Sequence, residues 1–460
     1  MDKKTERQQG DDLRSKGTSY QQLLDVEQVD VPDSLRVNTM RHMGSANLSV
    51  DRYLSREFHE LEKQKVWPRV WQMVCREEDI PNVGDHIVYD IVDYSFIIVR
   101  SAENETRSYY NSCLHRGRTL RDENGNVDYF RCPYHAFTWG LDGKPKFIPS
   151  QWDFGHFKEG NCNLDETKVD TWGGFVFINM DDDCISLQQY LDVLPEHFER
   201  WPLEKYYKGA HVKRIVRSNW KIAQEAFQES FHVIATHPQI MNFTADENSQ
   251  YDSFGDHINR TITASAVVSP HIKNKLEESE IVAELLTLGG RNKDATDKVE
   301  IPEGMTARQF MANVTRDNVS QITGEDYSAY TDSECIDSIL YNVFPNFAPW
   351  AGLNRNVVYR FLPNGDDHES CTMEAMLLMQ YDPSGPRPPP CEIHELEEHE
   401  AFSSAEELGG LGAVFDQDMA NIPFIMKGMK AGKRRKVVLG NYQESRIRHI
   451  HQTLDKYIND

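Results

Sequence analysis

The sequence has little of what marks a membrane, secreted or nucleic-acid-binding chain. No uninterrupted apolar run is long enough to span a bilayer, and the mean hydropathy is −0.63. The opening stretch MDKKTERQQGDDLRSKG lacks the apolar core of a secretory signal. Basic residues are scarce beside acidic ones: 50 Lys+Arg against 73 Asp+Glu give a net charge of −23. Phosphate binding needs a basic footprint, so this balance excludes nucleic acid as a partner. There is no internal repeat and no glycine fingerprint for a flavin or nicotinamide nucleotide. Together these absences predict a soluble, cytoplasmic protein that does not enter a membrane. In that compartment the eight cysteines are expected to be thiols or metal ligands, not a disulfide framework.

What is present is a chain of 460 residues, 39 % hydrophobic and 10 % aromatic, which is enough for two buried cores. Residues 1–45 are polar and aperiodic and read as an arm. Residues 46–83 read as a helical lead-in, with Phe58, Leu61, Val66, Val70 and Trp71 at mixed three- and four-residue spacings and Pro68 ending the pattern. Residues 84–180 carry short β-branched runs separated by glycine-bearing polar turns, which predicts a small all-β module. Residues 181–460 form a longer mixed segment. WKIAQEAFQESFHVIATH reads as a helix, YNVFPNFAPWAG, NRNVVYRFLP and CTMEAMLLMQYD as strands, and EIHELEEHEAFSSAEEL as an acidic helix. Ile447, Ile450, Leu454 and Ile458 repeat at helical spacing near the C-terminus.

Two constellations carry chemistry. In the β module, Cys113-Leu114-His115 is followed after sixteen residues by Cys132-Pro133-Tyr134-His135. Each half places one thiolate and one imidazole on a turn. A thiolate pair on one iron and an imidazole pair on the other make a Rieske [2Fe–2S] centre. A Cys₂His₂ zinc site is the alternative, but its halves are commonly homogeneous in ligand type, and here each half is mixed. The other cysteines (Cys75, Cys162, Cys184, Cys335, Cys371 and Cys391) have no comparable partners and read as ordinary thiols.

The second constellation lies in the larger segment. On a helix, Glu225, Glu229 and His232 share one face, and Pro238 biases His237 out of the α region, so the helix is expected to end between the two histidines. From spacing alone, two such histidines read as structural. Downstream, Phe415-Asp416-Gln417-Asp418-Met419 offers a carboxylate, from Asp416 or Asp418. Two histidines and one carboxylate are the facial triad of non-haem Fe(II) oxygenases.

The whole pattern resembles the catalytic α-subunit of the Rieske non-haem iron oxygenases, the ring-hydroxylating family. The residues that carry the likeness are VWPRVWQMVCREEDIPNVGD, CLHRG, CPYHAFTWGLDG, WGGFVFINM, the stretch from Asn219 to His237, and the FPN of VFPNF. The resemblance implies an α+β fold: a small all-β Rieske [2Fe–2S] domain, and a larger helix-grip-like catalytic domain with an antiparallel sheet and C-terminal helices. It implies that Cys113 and Cys132 ligate one cluster iron and His115 and His135 the other. His232, His237 and Asp418 would hold a mononuclear Fe(II), with Asp418 preferred because it closes the acid-Gln-Asp run. Glu229 would bridge a cluster histidine of one subunit to an iron histidine of the next. Two positions depart from the family: Glu229 stands where Asp is usual, and Ala226 where Asn is frequent. The implied activity is that of a terminal oxygenase, inserting oxygen from O₂ into an apolar, aromatic substrate. Electrons would come from NAD(P)H through a separate reductase, directly or via a ferredoxin. The implied assembly is a homotrimer or α3β3. Oxidative O- or N-demethylation is the alternative within the family, and a Rieske electron carrier with a silent second domain the alternative outside it.

Overall fold

The computed structural model describes residues 14–15, 17–159, 162–288, 299–353 and 357–459. They divide into two compact units: residues 60–190 with 363–366, and the remainder. Among the described residues no helix is long and apolar enough to cross a membrane.

The smaller unit is built from short antiparallel strands. β1 (Gln72–Arg76), β2 (Asp85–Ile91), β3 (Tyr94–Ala102), β4 (Glu105–Tyr110), β5 (Gly125–Asn126), β6 (Phe130–Arg131), β7 (Thr138–Trp139), β8 (Pro145–Phe147), β9 (Lys168–Trp172) and β10 (Phe175–Asn179) follow in order. They make three sheets, ordered β4-β3-β2-β5, β6-β7-β8 and β9-β10-β1. The β-branched run Ile97-Ile98-Val99 is wholly buried because β3 is flanked on both edges. Residues 60–83, read as a lead-in, fall within this unit, because β1 pairs with β10 from Gln72↔Ile178 to Arg76↔Phe175. Ile97, Val99, Tyr109, Phe130, Phe137 and Trp139 form one core cluster, which also takes in Cys113 and Cys132.

The larger unit centres on an eight-stranded sheet. Its elements are β11 (Tyr207–Val216), α1 (Trp220–Glu225), α2 (Val233–Thr236), β12 (Gln250–Phe254), β13 (Ile258–Thr263), α3 (Glu278–Leu288), α4 (Ala307–Thr323), β14 (Ser338–Val343), β15 (Phe347–Ala351), β16 (Val357–Asn364), β17 (Asp367–Met379), β18 (His394–Leu396), α5 (Gly410–Met419), α6 (Ile422–Ala431) and α7 (Ser445–Asn459). The strand order is β12-β13-β14-β15-β16-β17-β11-β18. The acidic stretch at 392–408 is a correction to the helix read from its sequence. Its start forms β18, parallel to β11, and the rest makes short 3₁₀ turns. Backbone pairing at the sheet edge and burial of Leu396 and Phe402 outweigh the helical propensity of its glutamates. The C-terminal helix α7 is as expected: Ile447, Ile450 and Leu454 are buried, and the helix packs on β12 and β13. The described part of the arm lies along this sheet. Gln21 donates to Gln250, Thr39 N–H to Asp252, and Arg260 to the carbonyls of Ser34 and Val37.

Candidate metal centres

The two cysteine–histidine turns are the same piece of backbone built twice. Cys113 N–H donates to the Arg118 carbonyl and Gly117 N–H returns to the Cys113 carbonyl, both at 2.8 Å. Cys132 N–H likewise donates to Phe137 O at 2.8 Å, and Ala136 N–H to Cys132 O at 3.0 Å. The residue four beyond each cysteine is left-handed: Gly117 at φ +75° and Ala136 at φ +62°. Each turn therefore presents a buried thiol and one imidazole from a fixed loop. The His115 and His135 rings lie 4.6 Å apart. His115 stacks on Phe137 at 4.8 Å, and Tyr134 lies 3.8 Å from His135.

Burial shifts a thiol and an imidazole of these turns toward their neutral forms. Burial raises the Cys113 thiol pKa, and the adjacent Cys132 adds to the rise. Desolvation lowers the His115 pKa, with His135 and Arg116 lowering it further. His135 Nδ1 is buried with no hydrogen-bond partner. Two imidazole rings 4.6 Å apart, one with a buried unpartnered Nδ1, on turns that carry two neighbouring buried thiols fit a mixed Cys₂His₂ cluster site, since an unmet buried polar atom is costly otherwise.

The second group is assembled from three loop and helix ends. Asn219 caps α1 by accepting from Lys221 N–H, and α1 stops at Glu225. The single helix expected through Glu229 is thus broken earlier than its sequence indicates. Residues 226–232 form turns, and His232 and His237 flank the four-residue α2. The break has a visible cause: Gln224 and Gln228 both donate to Asn342 beneath the helix, and Gln224 also to Pro345 O. The break does not separate the residues that matter. His232, His237 and Asp418 offer three ligand atoms within 4.8 Å of one another. Asp418 Oδ1 lies 3.0 Å from His237 Nε2 and 3.6 Å from His232 Nε2.

Hydrogen bonds outside this triad fix each ring. Glu229 accepts from His232 Nδ1 at 2.8 Å and from its backbone N–H at 3.0 Å. Gln417 Oε1 accepts from His237 Nδ1 at 2.7 Å, and Gln239 donates to the same oxygen. Both imidazoles are thereby held with Nε2 turned toward Asp418. Burial lowers the His232 pKa, but the Glu229 hydrogen bond and charge, with Asp418, outweigh it and leave the pKa raised. Asp416 turns elsewhere, accepting the backbone N–H groups of Phe402 and Ser403. Gln239 and Gln417 were missed in the sequence; only their adjacency to a ligand candidate could have drawn attention to them. Phe227 joins Tyr359, Phe361 and Phe415 in an aromatic cluster, with centroids at 4.8, 5.3 and 6.1 Å. Of the other residues near the histidines, Val233 is buried, whereas Phe231 and Ile234 are exposed.

A β module with paired cysteine–histidine turns, joined in one chain to a domain with a two-histidine, one-carboxylate group, defines a two-centre iron protein. Residues 70–158 match the model of the Rieske [2Fe-2S] domain, and residues 196–460 match that of the ring-hydroxylating alpha subunit catalytic domain. The chain belongs to the ring-hydroxylating α-subunit family of Rieske oxygenases. That family carries a Rieske cluster and a mononuclear iron. Among its relatives is the 2-aminobenzenesulfonate 2,3-dioxygenase alpha subunit of Alcaligenes sp, 27 % identical over 190 residues, which are 39 % of this chain and 47 % of that protein. The carnitine monooxygenase oxygenase subunit of Acinetobacter pittii is 29 % identical over 192 residues, covering 40 % and 51 %. The chain thus spans about half the length of the curated relatives it matches. Among the solved structures that share its fold are a monooxygenase and a dioxygenase. One is a quaternary ammonium Rieske monooxygenase in complex with L-carnitine, with TM-score 0.61, 16 % identity, and coverage of 92 % of this chain and 99 % of that one. The other is naphthalene 1,2-dioxygenase with indole bound, with TM-score 0.62, 15 % identity, and coverage of 92 % and 94 %.

Proposed function

We propose that the protein is the terminal oxygenase of a Rieske system. Cys113, His115, Cys132 and His135 hold the [2Fe–2S] cluster, and His232, His237 and Asp418 hold Fe(II). The observation that carries this reading is the convergence of His232, His237 and Asp418, from positions up to 186 residues apart, on one point within 4.8 Å. When bound, the cluster passes electrons singly and the iron activates O₂. The chain's own part is orientation. Glu229 and Gln417 keep the proton on each Nδ1, so that both Nε2 lone pairs stay available. Asp418 supplies the anionic oxygen. Phe227, five positions before His232 and packed on Tyr359, Phe361 and Phe415, is the aromatic side chain we assign to the substrate's apolar side. Glu229, already bonded to His232, is the group that couples the iron site to a cluster histidine of a neighbouring subunit. The electrons come from NAD(P)H through a separate reductase, directly or through a ferredoxin, and the assembly is a homotrimer or α3β3.

Two substrate classes suit an aromatic side chain at this place: a planar aromatic ring stacked on it, or a methylated ammonium held against its π face. The relatives named for carnitine and for 2-aminobenzenesulfonate support the two substrate classes; the first leads to ring oxygenation and the second to oxidative N-demethylation. The deciding experiment is O₂ uptake with a surrogate reductase over a panel of polycyclic aromatics and quaternary ammonium compounds. A hydroxylated or diol product assigns the first class, and formaldehyde release the second. His232→Ala is expected to abolish turnover and lower iron by one per chain while leaving the visible cluster spectrum intact. Retention of that third iron in the variant would refute the assignment.

A further inference from the structure

Arg446, on α7, is fully buried, and its guanidinium meets no carboxylate among its hydrogen bonds. Its Nε donates to Asn259 Oδ1 at 2.6 Å and its Nη1 to the Gln228 carbonyl at 3.2 Å, while Nη2 is buried without a partner. Burying a guanidinium with so few partners is expensive, and an apolar residue of similar size would serve packing better. One of its two bonds falls on the peptide that enters Glu229.

The residue on the other side of Glu229 is held as firmly. Ser230 N–H donates to Tyr251 Oη at 3.2 Å. Ser230 Oγ lies 2.7 Å from Thr263 Oγ1, and Ser249 Oγ, 2.6 Å from the same Thr263 hydroxyl, donates to Ser230 at 3.2 Å. Gln228 donates its side-chain amide to Asn342. Both neighbours of Glu229 are thus fastened to α7, β12, β13 and β14. These are residues of a non-helical turn, with no i to i−4 ladder to hold them. Between two such anchors the Glu229 side chain is sent the other way, to the Nδ1 and backbone N–H of His232.

From this arrangement we infer that Arg446 is a positioning residue for the iron site: it fixes the Gln228 peptide, and through it the aim of Glu229 and the ring of His232. Tyr251 does the same from the opposite side through Ser230. The inference rests on the assignment of His232 to iron and Glu229 to its support. C-terminal helix and iron-bearing loop are then one mechanical assembly, although 214 positions separate Arg446 from His232 in the sequence.

The test is a double-mutant cycle in the reconstituted holoenzyme between Arg446→Met and Glu229→Gln. Three quantities are read: iron per chain, the electron paramagnetic resonance spectrum of the nitric-oxide-treated ferrous site, and the rate of cluster reoxidation in a single turnover. Arg446→Met is expected to change the nitrosyl spectrum and slow reoxidation about tenfold or more, a loss in the range that outer-shell metal partners show. In the Glu229→Gln background the same change is expected to do almost nothing further. Additive effects, or an unchanged spectrum and rate in Arg446→Met, would overturn the inference. Tyr251→Phe, which removes only the acceptor oxygen, carries the same cycle if Arg446→Met does not fold. A failure of the underlying assignment shows separately, as a wild-type nitrosyl signal that persists unchanged in His232→Ala.

Discussion

Asp416 and Asp418 stand two positions apart on α5, and their side chains do different work. Asp418 is 5 % exposed and faces both histidines, whereas Asp416 caps the Phe402–Ser404 turn with two backbone hydrogen bonds. On a helix two positions differ by about 200°, so no more than one of the pair can face the triad. Asp418→Asn is therefore expected to strip the mononuclear iron with the cluster intact. Asp416→Asn should keep the iron and cost about 1 kcal/mol of stability, the worth of a turn or cap hydrogen bond. Iron analysis beside urea denaturation of the two variants separates these outcomes. The motif narrowed the choice to these two residues. The direction of a side chain on α5 was invisible until the helix had a neighbour.

The two cluster turns show how an element can be legible in part. Spacing alone marked Cys113, His115, Cys132 and His135, because ligand types at fixed offsets on a turn leave few other readings. What spacing did not show is that both turns use one backbone design with a left-handed fifth residue. Gly117 meets that demand without strain, but Ala136 at φ +62° does not. The left-handed region costs a residue with a Cβ about 1–2 kcal/mol, so Ala136→Gly is expected to stabilise the smaller unit by about 1 kcal/mol. A thermal midpoint unchanged or lowered in the cluster-loaded protein would contradict this. The α1 segment teaches the opposite lesson. Periodicity read one continuous helix to beyond His232, yet the chain leaves the helix after Glu225 because Gln224 and Gln228 have partners in β14 and its following loop. Local propensity lost to tertiary hydrogen bonds, as it did where the acidic stretch became β18.

At the scale of the whole molecule, the larger unit buries histidines that belong to no metal site. His197, His257 and His449 each have a pKa lowered to about 4, burial being the first cause in every case. Nearby cations add to it: Arg260 beside His197, and Lys456 beside His257 and His449. The folded value lies below the ordinary 6.5, so above that pH both folded and unfolded chains hold these rings neutral. Between about 6.5 and 4 the unfolded chain takes up protons that the folded chain refuses, and each ring then costs up to about 1.4 kcal/mol per pH unit. Stability is expected to fall steadily from pH 7 to pH 5, before the carboxylates begin to protonate. Urea midpoints across that range measure it, and His257→Gln should flatten the slope. A midpoint constant over the range would show that these rings do not govern acid unfolding.

The sequence by itself determined the chemistry available: four ligands in two mixed turns, two histidines near a proline, and two candidate carboxylates. Ligand identity is a property of residue type, and turn spacing is local, so both survive translation into one dimension. Only the tertiary structure decided which carboxylate joins the histidines, where the helix before the histidine loop ends, and which distant groups hold that loop in place. Those choices depend on contacts such as Asn342 to Gln228, Gln417 to His237 and Arg446 to Gln228, made across more than a hundred residues. No local pattern can encode a partner that arrives only when the sheet and the C-terminal helix have closed around the site.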